Sequence, residues 1–296
     1  MELSDRSRTA RRLASALEPV VGQVYFSPEC HAGYVALGFD PSPGDANGVA
    51  LPDGPSYFAS RGSVMGQVPG EVIAAAFGVF SPAIVVPLVD IAWQRTDAAT
   101  IRAARAEGAV AQLRRVLGDR PDGVDRAAEL LATAAAAPAI SGHPLAAGIR
   151  SLDVPTDPLA AAWHHGDFLR EYRGDSHNAA WVSAGFTATQ IGLLTELYWG
   201  LPMRSYSRSR GWTADEFDEA EAALRDRGLL DGPGLSEAGR ETREAIEVAT
   251  DDQMTPVLDA LGEAAGELCA ILEPWGAAVR DRLGYMQDGP HDLAAR

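Results

Sequence analysis

The feature that most constrains the fold is the spacing of apolar residues, which recur every three or four positions along most of the chain. In an α-helix of about 3.6 residues per turn, this spacing places them on one face. Helices are predicted at 8–24, 69–80, 82–95, 98–117, 123–137, 143–151, 158–185, 187–200, 213–230, 236–250 and 251–285, with a short one after Pro28. The sequence therefore predicts an all-α, mainly helical fold.

Two loop-like stretches interrupt this pattern. The first, 41–55, is dense in Gly, Pro and Asp, and loops of this length are often functional lids or disordered segments. The second, 152–158, is the predicted domain boundary. The expected units are a helical N-terminal domain (1–155), a second domain (156–250), a long C-terminal helix (251–286) and a loose tail (287–296).

Residue types and motifs that the chain lacks exclude several kinds of chemistry. Every one of the 25 basic residues is arginine, so no lysine can form a Schiff base or serve a phosphate-binding loop. Cys30 and Cys269 are far apart, which excludes a disulfide framework and a cysteine-built zinc site. Dinucleotide, nucleotide, haem and iron–sulfur motifs are also missing. We therefore expect no cofactor and no metal.

The apolar segments do not suit a membrane protein. The first 20 residues are charged and then amphipathic, and they lack the apolar core of a signal peptide. The longest apolar run, 77–93, holds two prolines and an aspartate and is too short for a bilayer span. We expect a cytoplasmic protein without a membrane partner.

One stretch, ALRDRGLLDGPGLSEAGRETREAI at 223–246, resembles the middle of a MarR-like winged-helix module. The residues that carry the resemblance are Leu224, Arg227, Gly228, Leu229, Leu230, Leu235, Ser236, Glu237, Ala238 and Gly239. It covers about 187–250. The whole chain also resembles a helix-turn-helix family of unassigned role from actinobacteria, whose GC-rich genomes favour arginine and alanine. The resemblance implies a ligand-responsive regulator that binds DNA.

The charge of the corresponding recognition helix, 213–227, argues against DNA binding. It carries six acids, Asp215, Glu216, Asp218, Glu219, Glu221 and Asp226, against Arg225 and Arg227. Phosphates repel such a surface, and the chain as a whole has a formal charge of −16. Arg204, Arg208 and Arg210 form the one basic loop that could hold a DNA backbone or an acidic ligand. Both a DNA-binding and a scaffold role of the winged helix therefore stay open.

The segment HHGDFLREYRGDSHNAAW, 164–181, concentrates polar and aromatic residues on one helix face. These residues are Asp167, Arg170, Glu171, Gly174, His177, Asn178 and Trp181. The face is either solvated and held by small surface ion pairs, or it lines a site. Gly174 could also break the helix. A metal site from His164, His165, Asp167 and His177 is a further alternative, although its spacing matches no known metal motif.

The site hypothesis places a cavity between the two halves of the chain, with 41–55 as its lid. Glu29 starts a helix next to His31 and could act as a base, or it could simply favour the helix dipole. Arg61 lies in a predicted turn before a helix, where it could hold an anion or close on a carbonyl. The predicted catalytic residues are His177, Glu29 and Asp45, and the predicted substrate-binding residues are Arg61, Arg170, Arg173, Asn178 and Trp181.

These observations predict a small-molecule-binding protein or a cofactor-independent enzyme. Acid–base chemistry such as cyclisation, elimination or hydrolysis on a polar or anionic metabolite would suit the residues, in actinobacterial specialised metabolism. The alternative is the MarR-like regulator. A third possibility is an interaction protein that forms a homodimer or a heteromer through helix 251–285, whose apolar stripe is Leu258, Leu261, Ala265, Leu268 and Leu272.

Overall fold

The computed structural model describes residues 4–286, and the predicted loose tail at 287–296 lies outside them. The first half contains the helices α1 (Asp5–Gly22), α2 (Pro28–Ala36), α3 (Gly54–Gly62), α4 (Gly70–Phe77), α5 (Pro82–Arg95), α6 (Ala98–Leu117), α7 (Val124–Ala136) and α8 (Pro144–Arg150). The second half contains α9 (Pro158–Ser183), α10 (Ala188–Tyr198), α11 (Ala214–Asp226), α12 (Glu237–Gln253), α13 (Thr255–Leu261) and α14 (Ala264–Asp281). The mainly helical fold is confirmed.

Two short antiparallel hairpins complete the fold. Their strands are β1 (Asp45–Ala46) with β2 (Val49–Ala50), and β3 (Leu230–Asp231) with β4 (Gly234–Leu235). The second hairpin joins α11 to α12, so the order helix, helix, hairpin, helix follows α9. Across residues 4–286, no helix combines the length and the apolar character that a bilayer crossing requires.

Local sequence signals explain where several helices begin. Asp157 caps α9 by accepting a hydrogen bond from the backbone N–H of Ala160, and Pro158 occupies the first turn. Thr187 and Thr213 start α10 and α11 with capping boxes. In each box the threonine side chain accepts a hydrogen bond from the backbone N–H of the third helical residue, whose side chain accepts one from the backbone N–H of the threonine. These caps fix the ends of the helices that surround the candidate site.

The buried apolar residues form two clusters that meet along α9. The first cluster takes residues from the helices before α9, from the first half of α9, and from α13 and α14. The second takes residues from the end of α9, from α10, α11 and α12, and from the hairpin β3–β4. Leu169 lies in the first cluster and Trp181 in the second. The division at 155/156 stays a prediction.

The stretch 41–55 is not the structureless lid that the sequence suggests. Asn47 and Gly48 have positive φ angles of 55° and 83°, so the chain turns back on itself to form β1–β2. The hairpin lies beside Leu283, close enough that a Cβ on Gly48 would be 3.2 Å from the leucine Cδ1. None of its residues lines the candidate cavity described below.

The C-terminal segment differs from the single helix expected over 251–285. It begins as the last turn of α12 and continues as the short α13. Helix α13 ends at Gly262, whose positive φ of 53° is incompatible with a continuing helix. The last helix is therefore α14. The apolar stripe predicted as a partner surface (Leu258, Leu261, Ala265, Leu268 and Leu272) is buried in the first cluster, so it is not available to a partner.

Candidate functional site

The polar face of α9 is inside the protein, so the interpretation as a solvated face is wrong. Asp167 and Glu171 are only 2% and 1% exposed. The helix runs without a break through Gly174. Arg105 binds Asp167 through two hydrogen bonds of 2.7 and 2.9 Å. Because buried charges are tolerated only when they are paired and hydrogen-bonded, this face is built from matched ions.

Glu171 is the centre of the first group of ions. Arg61 donates to its carboxylate from Nε at 3.0 Å and from Nη2 at 2.7 Å, and Arg170 donates from Nη1 at 3.0 Å. The hydroxyl of Tyr25 donates at 3.1 Å. Burial opposes the carboxylate charge, but the charges of Arg61 and Arg170 outweigh it and lower the pKa of Glu171 to about 2. Arg170 also binds Glu18 at 3.0 and 3.1 Å.

A second group of ions connects α9 to α12. Arg173 on α9 forms ion pairs of 2.5 Å with Glu247 and 2.8 Å with Asp251. Arg243, which is only 1% exposed, binds the other oxygen of Glu247 at 2.8 Å. Arg11 of α1 reaches Asp251 at 2.7 Å. Buried ion pairs thereby join α12 to α9 and to α1.

A cavity of about 300 Å³ lies between these two groups of ions. It is lined from both halves of the chain: by α1, α3 and α4, by the middle of α9, and by α10, α12 and the turn at 206–212. Its aromatic walls are Tyr57, Phe77, Phe80, Trp199, Tyr206 and Trp212, and its arginines are Arg11, Arg61, Arg170, Arg173, Arg210 and Arg243. The structure thus brings together Arg61, Arg170, Arg173, His177 and Asn178, five of the residues predicted for a site.

His177 lines the cavity and is held by a hydrogen bond through Nδ1. The hydroxyl of Thr250 donates to the carbonyl of Ile246 at 2.9 Å, so its oxygen accepts from Nδ1–H of His177 at 3.2 Å. In this tautomer Nε2 carries the lone pair. Burial, helped by the charge of Arg243, lowers the pKa of His177 to about 4. The imidazole is therefore neutral at physiological pH.

Asn178 and Trp181 have structural partners. Asn178 donates from Nδ2 to the carbonyl of Ala76 at 3.0 Å and accepts from Nε1 of Trp181 at 3.2 Å. Asn178 lines the cavity, whereas Trp181 lies behind it in the second apolar cluster. The structure therefore places Trp181 in support of the site and not on its wall.

The other two predicted catalytic residues are not brought to the cavity. Glu29 lies in the first turn of α2, where its carboxylate binds Arg115 at 2.5 Å. Burial opposes the charge of the Glu29 carboxylate, but the hydrogen bond from Arg115, local hydrogen bonds and the charge of Arg115 together lower its pKa. Asp45 is exposed in β1 and accepts from the backbone N–H of Gly48 at 2.9 Å. Neither residue lines the cavity, so each is placed away from His177.

The three arginines predicted as a basic loop do not form one surface. Arg204 forms ion pairs with Asp218 at 2.7 Å and Glu221 at 2.8 Å. Arg210 lines the cavity, and only Arg208 is exposed. The sequence indicates Arg210 only as one member of a loop that could hold DNA or an acidic ligand. Its separate position in the cavity depends on the turn at residues 206–212, which places Arg210 inside and leaves Arg208 outside.

The histidine and aspartate set considered as a metal site is not assembled. Across residues 4–286, no group of three or more His, Cys, Asp or Glu side chains is placed to hold a metal ion. Asp167 is instead bound to Arg105, and His177 faces the cavity.

The fold and the cavity define a mainly helical protein in which a helix, helix, hairpin, helix unit is joined to a larger helical body by buried ion pairs. Comparison with known proteins gives the family: the chain belongs to a helix-turn-helix family, which matches it over residues 10–286. No curated protein and no solved structure matches the chain.

Proposed function

We propose that the chain binds a small molecule in the cavity between its two halves. The observation that carries the proposal is the cavity itself, whose volume of about 300 Å³ falls at the lower end of ligand sites. Like such sites, it combines aromatic walls with a few polar groups. The buried ion pairs around it hold those groups before any ligand arrives, which reduces the entropy lost on binding.

A reaction at the same site is a second candidate, because His177 lines the cavity and its Nδ1–H bond to Thr250 leaves Nε2 unprotonated. This nitrogen can accept a hydrogen bond from a ligand, and it could accept a proton in an acid–base reaction. A pKa near 4 makes it a weak base, so binding is the function that the geometry supports better. Replacing His177 by Gln, which keeps hydrogen bonding but has no basic nitrogen to accept a proton, separates a catalyst from a binder. Turnover of a bound compound would be lost while its binding is retained.

Gly174 offers a way to close the cavity without altering a charge. It lies inside α9 and lines the cavity, and a Cβ there would have only Glu171 Oε2 near it, at 3.8 Å. We expect Gly174→Leu to fold and to abolish ligand binding, because its side chain fills the space. Gly174→Ala should bind normally and raise the free energy of unfolding by about 0.5–1 kcal/mol, since alanine favours a helix interior.

Ligand binding by the wild type and the two Gly174 variants can be measured by fluorescence titration with a panel of small aromatic and aliphatic compounds, neutral and charged. Trp199 and Trp212 line the cavity and report on its contents. Binding that is seen in the wild type and in Gly174→Ala but lost in Gly174→Leu supports the proposal. Binding that survives in Gly174→Leu places the ligand elsewhere and contradicts it.

A DNA-binding regulator is the alternative that family membership supports. A MarR-like winged helix formed by α10, α11, β3–β4 and α12 stays a proposal, as does a role in actinobacterial specialised metabolism. The charge of α11 opposes DNA binding, because Asp215, Asp218, Glu219 and Asp226 are all exposed on it. Arg225 is the exposed arginine of α11, and it is paired with Glu221 at 2.7 Å.

We therefore expect no binding to the chain's own upstream DNA, even at low salt. An electrophoretic mobility assay over a range of salt concentrations measures this, with an Arg208→Ala/Arg210→Ala double variant beside the wild type. Tight binding that weakens steeply with salt and disappears in the double variant would show that the unit reads DNA.

A further inference from the structure

Arg210 differs from the other five arginines of the cavity in having no acidic partner. Those five, Arg11, Arg61, Arg170, Arg173 and Arg243, form ion pairs with five carboxylates, Glu18, Glu171, Glu244, Glu247 and Asp251. Within residues 4–286, Arg210 lies in no ion pair. The cavity therefore carries one positive charge that the protein does not balance.

The direct contacts of the Arg210 guanidinium are with aromatic rings and hydroxyl groups. Its guanidinium carbon lies 4.6 Å from the ring centre of Phe80 and 4.4 Å from that of Tyr206. Nη1 donates to the hydroxyl of Ser209 at 3.2 Å, and Nη2 donates to the hydroxyl of Tyr206. Rings and hydroxyls orient a guanidinium but do not neutralise it, so its charge stays available to a ligand.

The backbone that carries Arg210 is fixed on two sides. Glu196 is fully buried, and its carboxylate accepts hydrogen bonds from the backbone N–H groups of Tyr206 at 3.0 Å and Ser207 at 2.9 Å. From the other half of the chain, the N–H of Ser81 donates to the carbonyl of Arg210 at 2.9 Å. The buried carboxylate of Glu196 thus holds the backbone of this turn in place, and such support is expected where a side chain, here Arg210, is positioned to bind a ligand.

We propose that the ligand of the cavity is a small monoanion, a carboxylate on a flat apolar body, and that Arg210 binds its carboxylate. The inference rests on the proposed function and specifies the class of compound. A ligand carboxylate would balance the charge of Arg210 and accept charge-assisted hydrogen bonds from its guanidinium. The flat body would pack against the aromatic walls that both halves contribute, among them Phe80 and Trp212.

Benzoate and benzamide test the proposal, because they share size and shape and differ in charge. Calorimetric titration of the wild type should show benzoate binding at least about tenfold more tightly than benzamide, as expected for a hydrogen bond to a charged group. Arg210→Gln should bind the two compounds equally, and Arg210→Lys should retain a preference for benzoate. Arg208→Gln is the matched control, since it removes an exposed charge from the same turn; it should behave as the wild type does.

The results that overturn this inference differ from those that overturn the proposed function. Equal binding of both compounds by the wild type leaves the cavity as a ligand site and removes the anion requirement. A preference for benzoate that persists in Arg210→Gln assigns the charge recognition to another residue. Failure of both compounds to bind at millimolar concentration contradicts the ligand class, whereas the Gly174→Leu comparison with neutral compounds tests the site independently.

Discussion

Asp167→Asn is expected to lower the free energy of unfolding by about 3–5 kcal/mol, because it leaves a buried charge without its partner. Arg105 and Asp167 are 3% and 2% exposed, and two hydrogen bonds join them. The guanidinium also lies 5.0 Å from the ring centre of Trp163, so it cannot turn towards water without disturbing the first apolar cluster. Urea denaturation followed by circular dichroism measures the loss.

A double variant distinguishes the lost attraction between the two ions from the cost of leaving one buried charge unpaired. Arg105→Gln combined with Asp167→Asn removes both charges and should be more stable than Asp167→Asn alone. Asp153→Asn, at an exposed aspartate, is the matched control and should change stability by less than about 0.5 kcal/mol. A loss below about 1 kcal/mol in Asp167→Asn would contradict the assignment of this pair as a buried, matched ion pair.

Gly108→Ala is expected to destabilise the protein by about 1–3 kcal/mol, in contrast to the gain expected at Gly174. Gly108 lies inside α6 where this helix packs against α2. A Cβ at this position would lie 2.6 Å from both N and Cα of Cys30. These are backbone atoms, so the two helices must move apart to admit the methyl group.

Gly174→Ala serves as the control for this prediction, because it makes the same substitution inside another helix. Thermal unfolding should show a lower Tm for Gly108→Ala and a higher Tm for Gly174→Ala. If both variants shift in the same direction, the close approach of α2 and α6 does not determine the stability at Gly108.

The residues of α9 that face the site could be predicted from the sequence, because helical periodicity alone places them on one face. The mainly helical fold followed from the same signal. Periodicity does not reveal what packs against a face, so the sequence left open whether this one is solvated. The face is buried because α1, α3 and α12 pack against it. Its charges are paired by acids such as Glu247, which lies more than 70 residues away in sequence from Arg173.

The parts that could not be predicted depend on local conformation or on distant contacts. The sequence predicts no helix at 54–62, because Gly54 and Pro55 end the loop-like stretch 41–55 and Arg61 is placed in a turn. The segment is the helix α3, since Asp53 caps it and Pro55 suits its first turn. The break in the last helical segment depends on one positive φ at Gly262. Arg210 reaches the cavity through a turn whose shape is fixed by Glu196, a contact that no local pattern indicates.

A crystal structure of the chain with the tightest-binding compound of the panel tests the central claim most directly. We expect the compound in the cavity between α1, α9, α10 and α12, with its acidic group within hydrogen-bond distance of Arg210 and its body against the aromatic walls. A compound bound outside this cavity, with the cavity unchanged, would contradict the proposed site.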